Sequence, residues 1–323
     1  MTDIADNAPT LRRRGLFGSN ATDRMFQWGT LLVALVVPVV ILVLWFVLVR
    51  DAGPTIHRFG WRFLTRTIWD PVAVDYGLLF AIFGTVVSSL LALLIAVPIS
   101  LGTALFLAEL APRWLRNPVS FLIELLAAVP SIVYGLWGLK VLVPALAPVQ
   151  MWLGDHFGFV PLFQGAPIGF GMLAAGLVLA IMVLPYITSV SREVILAVPR
   201  SQREASLALG ATRWETLRGP VLRYARSGIV GAVILGLGRA MGETMAVTMV
   251  IGNTETISAS LFSPGSTLTS LLANKFQEAT EPLHTQALVE AALVLLVITI
   301  IINAGARFMI WSVSRGEAKG VQE

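Results

Sequence analysis

Residues 77–108 read GLLFAIFGTVVSSLLALLIAVPISLGTALFLA, 32 consecutive positions without a charged side chain. A hydrocarbon core about 30 Å thick asks a crossing helix for roughly 20 apolar residues, a length that a buried helix of a soluble domain rarely needs. At 1.5 Å per residue the stretch makes about 48 Å of helix, too long for one upright crossing and too short for two with a turn. It predicts a single tilted helix, kinked near Pro98, whose end leaves the bilayer. Residues 31–49 form another uncharged run, of 19 residues, and comparable runs recur down the chain. The fold class is all-α and integral to a membrane.

Working outward, the 323 residues are 56% apolar and 13% charged, about half the charge of a soluble domain. There is no cysteine, which excludes disulfides, zinc ribbons and thiol catalysis. The net charge is +4, and the arginines sit in loops beside apolar runs instead of forming the basic face that nucleic acid requires. About 28 polar and basic residues precede the first apolar run, which is too long for the core of a cleavable signal.

Six spans are expected, at about 29–49, 77–109, 118–146, 168–190, 227–251 and 285–311. They are flanked by cytoplasmic tails at 1–28 and 312–323, the first 23 residues being polar and mobile. With the N-terminus inside, 15 Lys and Arg fall on inner segments and 5 on outer ones, so both termini are placed in the cytoplasm. The outer segments at 50–76, 147–167 and 252–284 are long. Ser263-Pro264-Gly265-Ser266 in the last of them predicts turns and a re-entrant piece.

The inner segment between spans four and five, about 191–226, is far longer than a connector. It contains Glu204-Ala205-Ser206-Leu207-Ala208-Leu209-Gly210-Ala211-Thr212-Arg213-Trp214, a short helix of small residues that ends at a glycine able to adopt a left-handed cap. Small side chains allow another surface to come close. An amphipathic helix held to the inner leaflet by its arginines fits the same pattern.

Span five carries Arg239 and Glu243, four residues apart and therefore on one helix face. Entry near Gly228 would put Arg239 about 16 Å deep, where an unpaired arginine costs at least ~2.5–3.5 kcal/mol. A structural ion pair with Glu243 accounts for this arrangement. An anion pathway accounts for it equally, since a guanidinium is a planar fork of donors suited to phosphate oxygens. Phosphate, which still carries a proton at neutral pH, could donate it to Glu243. In span three, Pro130 frees backbone carbonyls while Ser131 and Tyr134 bring hydroxyls, as in a helix that lines a path or in a packing kink. His57, His156 and His284 are isolated and are read as surface residues. No Gly-x-x-x-x-Gly-Lys-[Ser/Thr] loop, metal constellation or catalytic set appears, so the chain reads as neither an ATPase nor an enzyme.

In Glu204, Ala205 and Gly210 the inner loop resembles the EAA loop of binding-protein-dependent ABC importers. It departs from that pattern at Ser206, Pro220 and Arg223. Val129–Gly135, Gly238–Val247 and Ser260–Thr269 further resemble the permease subunits of bacterial phosphate importers, the likeness running from about residue 75 to the C-terminus. The resemblance implies a type I ABC importer permease fold in the bacterial inner membrane. It implies a coupling helix containing Glu204, Ala205, Ser206, Gly210, Ala211 and Trp214, docked on an ATPase subunit dimer that binds ATP and Mg while this chain binds no cofactor. It also implies a second permease subunit, a phosphate-binding protein, and a substrate path past Arg239, Glu243, Ser131 and Tyr134. The rivals are an importer of another oxyanion, molybdate or sulfate, and an ion-coupled secondary transporter. The latter should show further intramembrane carboxylates, and only Glu243 is read near the core of a span.

Overall fold

The structure is a computed structural model that describes the backbone of residues 21–319 and the side chains of 24–308. The outer parts of the two expected tails, 1–20 and 320–323, lie outside the described residues.

The chain begins with a long helix, α1 (Ala21–Phe59), then α2 (Arg62–Thr65) and a hairpin of β1 (Trp69–Asp70) and β2 (Asp75–Tyr76). Next come α3 (Leu79–Leu105), prolonged by a wide turn to Leu110, α4 (Arg113–Ala128), α5 (Ser131–Trp137) and α6 (Val143–Phe157). α7 (Met172–Leu196), α8 (Arg200–Ala208) and α9 (Arg213–Thr216) follow, with another wide turn leading into α10 (Leu222–Gly242). The last elements are α11 (Met245–Thr248), α12 (Leu268–Lys275) and α13 (Pro282–Lys319). Six helical stretches among the described residues are long and apolar enough to cross a membrane: Arg24–Phe59, Leu79–Leu110, Ser131–Phe157, Met172–Leu196, Arg213–Gly242 and Pro282–Phe308.

The number of spans agrees with the sequence, but several boundaries move, and those of the third and fifth spans have local physical reasons. The third crossing helix starts at Ser131, not near 118, because Pro130 has no N–H to donate and holds Val129 extended. Residues 113–128 form a separate helix before it. The fifth starts earlier and stops at Gly242, since Glu243 is extended (φ −72°, ψ 125°). Pro98 lies within α3, as expected of the long uncharged run.

The chain divides into two units, residues 1–50 and 51–323. The described part of the first is the apolar length of α1 up to Arg50, greasy on every face as a lipid-facing helix is. In the second unit, α3 and α7 pack together along their length. Alanines line this contact (Ala92 and Ala96 against Ala174 and Ala175), with Val178, Leu179 and Met182 filling it. Small residues let backbones approach where, in lipid, packing itself must drive association. A second cluster joins Phe63, Trp69 and Tyr76 to Leu268, Leu271 and Ala287. A third joins Ala104 and Ala108 to Ile195, Val198, Leu217 and Val221.

The Ser-Pro-Gly-Ser segment folds back on the start of α7. The N–H groups of Met172 and Leu173, which have no partner within their own helix, donate to the carbonyls of Ser263 (3.2 Å) and Leu261 (2.8 Å). α12 is a short helix with Leu268–Leu271 buried. Its first N–H donates to Thr85 Oγ1 of α3 at 2.9 Å.

Candidate functional site

The residues singled out from the sequence come together in two places, a break among the central helices and an elbow between α7 and α10.

At the break, Pro130 deprives the carbonyl of Leu126 of its helical partner. The Tyr134 hydroxyl replaces it, donating to Leu126 O at 2.7 Å. The next carbonyl, of Ala127, accepts from the hydroxyl of Tyr186 on α7 at 2.5 Å. Ser131, half-buried, opens α5 directly after the break. α5 packs on α11, and Gly135 has no room for a Cβ, which would meet Met249 Sδ at 2.8 Å and Ala246 Cα at 3.0 Å. The segment carrying Ser131 and Tyr134 thus lies against the turn that follows Glu243.

The Arg239 guanidinium carbon lies 4.0 Å from the centroid of the Tyr186 ring. Such a contact returns ~2 kcal/mol when desolvated, less than the ~2.5–3.5 kcal/mol cost of an arginine in the apolar centre of a span. No carboxylate among the described residues pairs with Arg239, and its Nε is buried without a hydrogen-bond partner. The charge is therefore held in place but left short of acceptors.

Glu243 departs from the sequence expectation. It is the C-cap of α10 (φ −72°, ψ 125°), and no ion pair joins it to Arg239. Its carboxylate, 9% exposed, accepts the N–H of Ala246 at 3.2 Å, and its carbonyl accepts the Thr269 hydroxyl at 2.7 Å. It ends α10, supports the first turn of α11 and ties that turn to α12.

At the elbow, α8 terminates as its sequence predicts. Gly210 is left-handed (φ +87°), its N–H reaches Leu207 O at 3.0 Å and that of Ala211 reaches Ser206 O at 3.2 Å. Thr212 and Glu215 then cap α9 reciprocally. Ser206 Oγ meets Thr216 Oγ1 at 3.1 Å, closing α8 onto α9. Pro220 sits in the wide turn Leu217–Val221, which accommodates a residue unable to donate. Glu204, Ala205, Leu209 (90% exposed) and Trp214 (65%) form the uncovered face.

Arg203 roots the elbow. Its Nη1 donates to Val198 O and its Nη2 to Ile195 O, both at 2.8 Å, at the end of α7, where Ile195 O otherwise accepts only short-range N–H groups such as that of Val198 at 3.3 Å. Nη2 also approaches Glu109 Oε1 to 2.8 Å, as an ionic contact without hydrogen-bond alignment. A cleft of about 300 Å³ opens between Glu109, Arg203, Leu207 and Thr216.

Sequence reasoning missed Tyr186, Arg203, Glu109 and the Thr212–Glu215 cap. Of these, the Thr-x-x-Glu spacing alone was a readable signal. Two further expectations are corrected. His284 is not a surface residue: it is 4% exposed and stacks on Tyr76, with ring centroids 5.5 Å apart. Glu243 is not the single carboxylate near a span core, because Glu290 is buried in α13. In the loop before α12, burial pushes the Glu255 carboxyl up, opposed by Lys275 at 3.6 Å.

Residues 100–313 match the family described as binding-protein-dependent transport system inner membrane component. The phosphate transport system permease protein PstC of Xylella fastidiosa (strain 9a5c) is 51% identical over 263 residues, 80% of this chain and 81% of that protein. PstC of Haemophilus influenzae is 45% identical over 313 residues, 95% of this chain and 99% of its own length. A bacterial alginate ABC transporter, crystallised with an alginate pentasaccharide-bound periplasmic protein, shares the fold at 16% identity. Its TM-score is 0.58, covering 88% of this chain and 96% of the solved one. The chain therefore belongs to the family of binding-protein-dependent transport system inner membrane components, as a multi-pass, mostly helical permease subunit of the ABC importer type whose relatives are PstC proteins.

Proposed function

We propose that this chain forms half of the translocation path of an ATP-driven inorganic phosphate importer. The observation that carries this is Arg239, held on the Tyr186 ring with no carboxylate partner among the described residues, near the α4–α5 break and the end of α10. A guanidinium so placed offers donors to an oxyanion that crosses the break. The name shared by the relatives gives that anion as phosphate. Broken helices whose ends meet inside a bundle are a recurrent way to line a substrate path.

Ser131 and Tyr134 stand at the same break, and Glu243 supports it from the α10 side. A PstA-like second permease would supply the other wall of the path. A PstS-like binding protein would deliver phosphate at the outer face. A PstB-like ATPase dimer, which binds ATP and Mg, would receive the uncovered α8–α9 face. Closure of the ATPase would push the elbow, and Arg203 would pass that movement to the ends of α7 and α3. The hydrolytic chemistry belongs to that partner; this chain's residues bind, orient and couple.

The test is phosphate uptake by energised cells that lack other phosphate transporters and carry the four-part system. Wild-type uptake should be blocked by phosphate-like anions and not by sulfate or molybdate, and Arg239→Gln should slow it about a hundredfold in a normally assembled complex. Wild-type cells that accumulate sulfate or molybdate instead would replace the substrate. Unchanged uptake by the Gln variant would reduce Arg239 to a packing residue.

A further inference from the structure

We infer that Tyr186 is a positioning and specificity residue of the path: it sets the direction in which Arg239 presents its donors to a tetrahedral oxyanion. The inference rests on the phosphate-path assignment above and extends it to a side chain with no motif to mark it.

An arginine side chain is long and rotatable, and a fixed direction needs a partner. In most buried arginines that partner is a carboxylate. Here the described residues provide none, and the Tyr186 ring, 4.0 Å from the guanidinium carbon, occupies that position. A ring differs from a carboxylate in what it leaves open. It covers one face of the flat cation through its quadrupole and takes none of the N–H donors, which project from the edge. A carboxylate would compete with the substrate for those donors, whereas the ring leaves them to two oxygens of a bound anion.

The ring is itself restrained. Its hydroxyl donates to the carbonyl of Ala127, in the last turn of α4, next to the carbonyl of Leu126 that Tyr134 satisfies. Both acceptors belong to the helix end created by Pro130. One side chain thus connects three elements: α7, which carries it; the α4–α5 break, which holds its hydroxyl; and α10, whose arginine lies on its face. Displacement of α4 against α7 would reach Arg239 through this ring.

Two variants in the assembled four-part importer separate the roles. Tyr186→Phe keeps the face and loses the restraint; phosphate uptake should fall roughly fivefold, with sulfate becoming a better competitor. Tyr186→Leu loses both; uptake should fall about thirtyfold. ATP hydrolysis stimulated by the binding protein should persist in both, which a general folding defect would not allow. Wild-type uptake and selectivity in either variant would overturn the proposal, and if the Leu variant does not assemble the Phe variant decides alone. Arg239→Gln is measured alongside. Lost uptake there with normal Tyr186 variants removes only the positioning role, whereas normal uptake in Arg239→Gln removes Arg239 from the path and the proposal with it.

Discussion

Arg203 and Arg239 are the same residue in opposite circumstances. At the elbow, the terminal nitrogens of Arg203 donate to two carbonyls at the end of α7 and one of them touches Glu109. At the break, Arg239 has an aromatic face instead. Both arginines keep a buried Nε without an acceptor, so the difference lies at the terminal nitrogens. A guanidinium with its terminal donors filled acts as a strut. One with its donors open is a site. The first ties helix ends together; the second is the anion contact proposed above.

Four substitutions test this contrast. The largest effect is expected for Arg239→Gln, where removing a desolvated charge contact should slow phosphate uptake about a hundredfold. Its thermal midpoint in detergent should be unchanged or higher, since a costly charge has gone; a clear loss of stability would make Arg239 a strut as well. Arg203→Ala should do the reverse. It strips the helix end and Glu109 of their partner, destabilising the subunit by about 2 kcal/mol, visible as a lower midpoint and faster proteolysis between residues 197 and 216.

Leu209→Asp alters the uncovered tip of the elbow. Subunit stability should stay within ~0.5 kcal/mol, while affinity for the ATPase falls roughly tenfold in a pull-down titration. Equal ATPase binding by wild type and variant would mean that the tip faces something else. Thr212→Ala is expected to have the smallest effect. Losing the reciprocal cap should cost ~1 kcal/mol, read as faster hydrogen exchange confined to α9. Exchange that spreads into α10 would show that the elbow and the span unfold as one.

The elbow was the more legible of the two regions. Its helix, its glycine stop and its small exposed residues are properties of adjacent positions, and Gly210 adopts the left-handed conformation that its place in the sequence calls for. Arg203 was visible only as one more positive charge, because its partners lie on other helices. The break was legible by residue type and misread by geometry. Pro130 was taken as a kink within a span and instead starts one. An ion pair was one reading of the spacing of Arg239 and Glu243, and Glu243 instead caps α10 and accepts the N–H of Ala246. Spacing predicts proximity and not pairing, and a buried carboxylate that can take a nearby N–H has an alternative to the ion pair. His284 was taken as exposed because nothing beside it in sequence shows the aromatic rings that cover it.

From the sequence alone came the membrane class, the six crossings, the long loop with its glycine-capped helix and the likeness to phosphate permeases. All of these follow from long apolar runs and short local patterns, since a bilayer leaves the backbone little choice but helix. The tertiary structure alone decided which arginine has its terminal donors filled by carbonyls and which lies on a ring. That depends on acceptors brought from distant helices, the Ile195 and Val198 carbonyls for Arg203 and the Tyr186 ring for Arg239, and such partners are neighbours only after the helices have packed.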